Sequence, residues 1–341
     1  MRDELERFRT KTKVPAVIGA VTDADELLGI DVVGSRSRTN PTDLATIDDQ
    51  WHIGSCTKAI TAVLFARLVE EGLAEWGTPL ANLFPDLDGA DTGWTKVTID
   101  DLLVCRAGVP ANPPGSDMMR LHKWEAPPTE QRTQTTNDIL REAPKKPGEF
   151  LYSNLGYIMA GAAIDRLAST SFEDALTTYV WEPLGITSAG VGAPPDVLGH
   201  PAKLPIGPLS AGLGNPAEDL SMADNPTVFT PAGRYHMAIG DWARFQRVFL
   251  NNGEPLISSR SIERLLSTPD GPKGKSMSMG WIPAGAAGAT HGQQGSNTMW
   301  AATALMDLKS GHTAMVVTND GRSKAISGTV EVARTILFRH R

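Results

Sequence analysis

The sequence predicts an α+β protein in which one antiparallel sheet is assembled from both chain ends and flanked by helices. A mostly helical lobe is inserted between the two halves of the sheet. Three observations carry this expectation. Strand-rich segments lie near both termini, in 14–33 and 276–318. Between them, in 75–266, helical patterns alternate with loops rich in proline and glycine. An amphipathic run over 324–339 closes the chain. The expectation is a single unit over 1–341, with 1–74 and 267–341 as the sheet lobe and 75–266 as the helical lobe. A cleft should open at their junction.

Taken in order, a short N-terminal helix leads into the apolar runs 14–21 and 27–33, joined by the polar turn Thr22-Asp23-Ala24-Asp25-Glu26. Ser55-Cys56-Thr57-Lys58 then opens an apolar helical run from Ala59 to Gly72. Helical patterns follow at 99–104, 136–142, 156–167, 172–180 and 239–250. The stretch 192–226, dense in proline and glycine, reads as a long loop near a site. Strands are expected at 276–281, 299–308 and 313–318, with Lys309-Ser310-Gly311-His312 turning between the last two.

Composition bounds the function. The chain has 341 residues, is 41% hydrophobic and carries a net charge of −7, with no long Lys/Arg run, which argues against nucleic-acid binding. No stretch approaches the ~20 apolar residues that span a bilayer. The start is charged and lacks the apolar core of a signal peptide, so the expected location is cytoplasmic, or periplasmic or secreted if a leader has been removed. The two cysteines are too few for a disulfide scaffold or a zinc cluster, and Cys56 reads as a buried thiol. Oligomeric state is not legible.

The most informative stretch is Ser55-Cys56-Thr57-Lys58, the single Ser-x-x-Lys in the chain. Residues three apart on a helix share a face, so the Ser55 hydroxyl and the Lys58 amine can meet. Lysine in the first turn of a helix opposes the helix dipole. Dipole and burial together push the amine toward its neutral form, which can take the serine proton. Free N–H groups at the helix start can stabilise an oxyanion. The structural alternative is an ordinary serine N-cap.

Tyr152-Ser153-Asn154, the one Tyr-x-Asn, follows Pro147-Gly148 and precedes an apolar helix. A lysine cation beside Tyr152 would let the two share a proton, and Asn154 could bridge Lys58 and a substrate amide. The third segment, His291-Gly292-Gln293-Gln294-Gly295-Ser296-Asn297-Thr298, leads into a late strand. Its glycines would let a substrate lie along the edge, with Gly295 close by and the Ser296 N–H joining that of Ser55. His291 is a candidate polar or cationic group at the cleft.

With these three motifs in this order, the chain resembles the serine β-lactamase and penicillin-binding-protein superfamily. The likeness is strongest to the branch of class C β-lactamases, D-alanyl-D-alanine carboxypeptidases and β-lactamase-fold esterases. It includes His52–Lys58 and extends through Leu102–Pro110, Pro147–Asn154, Trp181–Ile186, Pro231-Ala232-Gly233 and Gly295–Thr298. The resemblance implies acylation of Ser55, proton transfer shared by Lys58 and Tyr152, substrate contacts from Asn154, His291, Gly295 and Ser296, and no metal or organic cofactor. It implies a small ester, amide or β-lactam as substrate. Two positions depart from the pattern. Aligning on Gly295-Ser296-Asn297-Thr298 puts Gln293 where the family carries Lys or His, and aligning on His291 puts Gln293 where it carries Gly. Cys105 replaces a common His in the helical lobe. The expectation is therefore an esterase or peptidase ahead of an efficient β-lactamase, with β-lactamase and a non-catalytic scaffold as alternatives. An α/β-hydrolase is disfavoured because no Gly-x-Ser-x-Gly occurs.

Overall fold

The computed structural model describes residues 1–200, 223–271 and 276–340. Most of the expected 192–226 loop, residues 201–222, lies outside that range.

Both chain ends do build one sheet. β1 (Ala16–Thr22) and β2 (Leu27–Gly34) form the hairpin read from the sequence. Three short strands follow along the chain: β3 (Gln50–His52), β4 (Gly190–Val191) and β5 (Tyr235–Ala238). The last four are β6 (Ile282–Pro283), β7 (His291–Ser296), β8 (Ala301–Asp307) and β9 (His312–Thr318). The six-stranded sheet has the order β2-β1-β9-β8-β7-β6, and every pairing in it is antiparallel.

The sheet is buried on both faces, which is why its central strands read as continuous apolar runs. Along β1, Ala16, Ile18 and Ala20 join the large core shared with the helical lobe, while Val17 and Val21 join the core beneath the terminal helices. That alternation is the two-residue period of a strand. The C-terminal helix (Ser323–Arg339) buries Ala325, Gly328, Thr329, Val332, Ala333, Ile336 and Leu337, the three-four spacing of one helical face. It meets the N-terminal helix (Arg2–Thr12) so closely that a Cβ on Gly328 would stand 2.2 Å from the Phe8 ring.

On the other face lies the helix Thr57–Glu70, buried from Thr57 through Ala66 and again at Leu68. A helix apolar on all sides belongs in an interior. Ser55 itself sits just before it, in a 3-10 turn (Gly54–Cys56), rather than in the α-helix. Positions i and i+3 eclipse in a 3-10 turn, so its closeness to Lys58 survives the change. Helices Pro128–Leu140 and Asn154–Ala168 form the nearby part of the helical lobe.

Three local expectations need correcting. Residues 276–281 do not form a strand; only Ile282–Pro283 pair. Gly280, at φ +86°, lies against the helix Thr57–Glu70, where a Cβ would stand 2.4 Å from Ala59 N. The chain here follows that helix instead of a neighbouring strand. Helix Ile239–Leu250, read as part of the inserted lobe, packs against β1 and β9. A second sheet of order β3-β5-β4 has strands of three, four and two residues, too short to show a period in the sequence.

Candidate active site

Two helix starts face each other across the lobe junction. One is the Gly54–Cys56 turn and the helix it opens. The other begins at Asn154, where the Ser153 hydroxyl caps it by accepting from Gly156 N at 2.9 Å and donates to Pro110 O. Lys58, 1% exposed, is the hub between them. Its Nζ donates to Ser55 Oγ at 3.2 Å, to Asn154 Oδ1 at 2.7 Å and to Ala232 O at 2.5 Å. The Tyr152 and Tyr157 rings lie 4.9 and 5.3 Å from the same nitrogen.

A cleft of about 250 Å³ opens over this hub, lined by Ser55, Lys58, Tyr152, Met277, Gly280, Ile282, Gly292, Gln293 and Gln294. The third segment forms its edge as β7. A Cβ on Gly54, whose φ is +52°, would stand 2.5 Å from Ser296 N, and one on Gly295 would stand 2.0 Å from Ile53 O and 2.8 Å from Ser55 N. Glycine at both positions lets the Ser55 turn and β7 touch backbone to backbone. The N–H groups of Ser55 and Ser296 thus belong to adjoining backbone segments.

The expected site residues are therefore not equally central. Ser55, Lys58 and Asn154 are directly bonded, and Tyr152 and Gln293 line the cleft. Tyr152 makes no hydrogen bond among the described residues, and its ring rather than its hydroxyl meets Lys58. His291 lies at the far end of β7, outside the cleft lining, with Nδ1 3.1 Å from Thr290 Oγ1 and its ring edge-on to Trp281. Burial holds it below the usual histidine range. Of the two alignments left open by the sequence, the geometry matches the one with Gln293 in the Lys/His place.

Several contributors were missed. Ala232 O is a backbone acceptor with no side-chain signature, although Pro231-Ala232-Gly233 belonged to the resemblance. Tyr157 donates to Leu103 O at 2.6 Å, and its ring packs toward Lys58. Asn112 accepts from Asn154 Nδ2 at 2.7 Å. Cys105 Sγ accepts from Ser153 N at 3.4 Å, and burial raises both cysteine thiols, so neither is poised as a nucleophile.

Behind the site, His52 Nε2 lies 3.0 Å from Asp224 Oδ2, and Gly54 N donates to His52 Nδ1 at 3.0 Å. Arg234 Nε and Asn297 Nδ2 also donate to Asp224. Burial would raise this carboxyl, yet its pairing with His52, Arg234 and Asn297 outweighs burial and leaves it at about 2. A depressed carboxyl contributes stability above its unfolded value, and that contribution is lost as pH falls through the folded value. Between pH ~4 and ~2 the protein should lose ~2 kcal/mol from this group. Asp224→Asn should flatten that part of the stability curve. Urea titrations of both proteins at pH 5 and pH 3 check it, and equal losses in the two would refute the assignment.

An antiparallel sheet flanked by helices, with a buried lysine joined to a serine and an asparagine at the lobe junction, defines a β-lactamase-fold hydrolase. The family model described as Beta-lactamase matches residues 1–333, and the chain belongs to that family. The unguisins hydrolase ungD of Aspergillus violaceofuscus is 26% identical over 251 residues, covering 70% of this chain and 42% of that protein. Beta-lactamase-like protein 2 of Dictyostelium discoideum is 22% identical over 262 residues, covering 74% and 46%. The chain thus spans less than half the length of these relatives. Among solved structures, D-amino acid amidase from Ochrobactrum anthropi SV3 in complex with L-phenylalanine superposes with TM-score 0.80 at 20% identity, covering 99% of this chain and 98% of that one. A class C β-lactamase from Rhodobacter sphaeroides gives 0.75 at 15% identity, covering 99% of each chain. Among the described residues no helix is long and apolar enough to cross a membrane, and no cluster of His, Cys, Asp and Glu could hold a metal ion.

Proposed function

We propose that the protein is a serine hydrolase that forms an acyl-enzyme on Ser55 and prefers neutral esters or amides to β-lactams. The observation that carries this reading is the set of three acceptors around Lys58 Nζ. An ammonium can donate to all three. A neutral amine has two hydrogens and one lone pair. With its hydrogens on Asn154 Oδ1 and Ala232 O, its lone pair points to Ser55 Oγ and can take the hydroxyl proton. The Oγ then bonds to the substrate carbonyl carbon, and the carbonyl oxygen takes negative charge beside the Ser55 and Ser296 N–H groups. Lys58, helped by Tyr152 at the cleft wall, returns the proton to the departing alcohol or amine. Water repeats the sequence on the acyl-enzyme, releasing the acid and restoring Ser55.

The preference for neutral substrates rests on the cleft lining. Lys58 is its one charged side chain among the described residues. Gln293 is neutral and 3% exposed, accepting from Gln246 Nε2 at 3.3 Å; His291 is turned away, and Arg234 is committed to Asp224. A substrate carboxylate would lack the charged hydrogen bond worth ~1.5–3 kcal/mol that a lysine or histidine supplies. Ile282, 44% exposed, supplies apolar surface at the cleft. Asn112 adjoins a second groove of about 560 Å³ whose walls include Trp94, Leu121, Ile139 and Leu155, room for an apolar group. A substrate with an amide bond is in keeping with the likeness to D-amino acid amidase.

The test uses one preparation. After reaction with a fluorophosphonate, the added mass should fall on the peptide containing Ser55. The kcat/KM for p-nitrophenyl butyrate should exceed that for nitrocefin by at least ~10-fold, the equivalent of one lost charged contact. A nitrocefin preference would overturn the substrate ranking, and adduct on another residue would overturn the nucleophile.

A further inference from the structure

We propose that His52 and Asp224 form a positioning pair that aims the two backbone N–H groups at the oxyanion, acting through the hydrogen bond from Gly54 N–H to His52 Nδ1. The inference rests on the acyl-transfer reading above and adds to it residues that never touch substrate. The His52 and Asp224 side chains are 0% and 1% exposed, and neither lines the cleft.

The bonding pattern sets the imidazole tautomer. Because Nδ1 accepts from Gly54 N at 3.0 Å, the proton sits on Nε2 and is donated to Asp224 Oδ2 at 3.0 Å. The other carboxylate oxygen accepts from Asn297 Nδ2 and from Asn225 N, both at 2.8 Å. Asn297 Oδ1 in turn accepts from Met299 N at 3.1 Å and Trp300 N at 3.2 Å, closing the turn between β7 and β8. The Trp300 ring stacks on His52 with centroids 5.5 Å apart. One buried carboxylate therefore ties the turn before Ser55 to the turn after Ser296.

These two turns also meet directly, since no side chain separates Gly54 from Ser296 or Gly295 from Ser55. The second turn holds a backbone that would not rest there unaided: Thr298 has φ +75°, and its N–H donates to Ser296 Oγ at 3.0 Å. Stabilisation of an oxyanion depends on donors fixed where its charge develops, so a small shift of either turn weakens it. The Gly54 N–H bond to Nδ1 fixes the imidazole within the turn that holds Ser55.

The decisive comparison is His52→Asn against His52→Ala. Asparagine keeps an acceptor oxygen close to the place of Nδ1 but cannot reach Asp224, whereas alanine removes both links. Both variants leave Asp224 without its imidazole partner and should lose melting temperature, alanine the more because it also loses the Gly54 link. With p-nitrophenyl butyrate, His52→Ala should lower kcat by at least ~30-fold with KM changed by less than ~3-fold, the pattern of a transition-state contact. His52→Asn should keep at least ~5-fold more kcat than His52→Ala. Equal kcat in the two, at a temperature where both are folded, overturns the proposal.

Should His52→Ala fail to fold, Asp224→Asn serves in its place. Asn225 N and Asn297 Nδ2 keep the new amide oxygen on their side, so its NH₂ faces both His52 and Arg234, where the carboxylate had accepted. The imidazole proton is then forced onto Nδ1, against the Gly54 N–H. An Asp224→Asn protein with unchanged kcat also overturns the proposal. The wild-type protein separates the two levels of inference. Absence of fluorophosphonate adduct on Ser55 would refute the acyl-enzyme reading, whereas normal labelling with unaffected His52 variants would refute only the positioning pair.

Discussion

Ser55→Ala is expected to abolish ester turnover and covalent labelling while leaving the fold intact. In the structure the Ser55 hydroxyl caps no helix; among the described residues its hydrogen bond is the one it accepts from Lys58. The change therefore costs ~1 kcal/mol or less of stability but removes the atom proposed to bond to the acyl carbon. Lys58→Met should lower kcat by ~10²–10⁴-fold, the range for loss of a positioned acid–base group. It also strands the Asn154 and Ala232 acceptors, costing a further ~1–3 kcal/mol of stability. The double variant should be no slower than the poorer single one, because both residues serve a single step. Hydrolysis of p-nitrophenyl butyrate, with circular dichroism as a check on folding, measures all three. Turnover by Ser55→Ala at the wild-type rate would refute the nucleophile, and additive losses would refute the unit.

The largest effect on stability is expected at Arg132. Its side chain is 0% exposed and forms a double fork, to Asp165 through Nε and Nη2 at 2.8 Å each, and to Glu173 through Nη1 at 2.8 Å and Nη2 at 2.9 Å. Asp165 is 8% exposed and also accepts from Phe172 N at 2.6 Å. Arg132→Met would leave a buried carboxylate without its cation, which costs ~3–5 kcal/mol. The site would feel the change. A Cβ on Gly161 would stand 3.1 Å from Arg132 Cδ and 2.2 Å from Pro231, so the arginine stem packs on the helix that begins at Asn154, beside the segment supplying Ala232 O. Urea unfolding measures the loss. A change below ~1 kcal/mol would show that the network contributes little. Replacing Asp165 and Glu173 by apolar residues as well should recover much of the loss, since no buried charge then stands unpaired.

Local regularities were legible in the sequence because they depend on neighbours along the chain. The central strands announced themselves as unbroken apolar runs, since helices cover the sheet on both faces. The C-terminal helix showed its buried face at three-four spacing, and Ile239–Leu250 was read with its observed ends. The pairing of Ser55 with Lys58 is likewise local: three residues of tight turn bring them together whatever the rest of the fold does. Elements too short for a period were missed, as with β3, β4 and β5. At Ser276–Trp281 composition misled, because Gly280 had to approach Ala59 closely.

The sequence by itself thus determined the sheet from both termini, the apolar helix that follows Ser55 and the Ser-x-x-Lys turn. Tertiary structure alone decided what surrounds Lys58: Asn154, 96 positions later, and a backbone oxygen 174 positions later. It also decided that Gln293 and not His291 borders the cleft. Antiparallel register sets which residue of β7 lies beside Ser55, and that register follows from pairing with β8 and from the two glycines that let β7 touch the nucleophile turn. A motif states which groups are present; contacts across a hundred or more residues arise only when burial of the shared core brings those segments together.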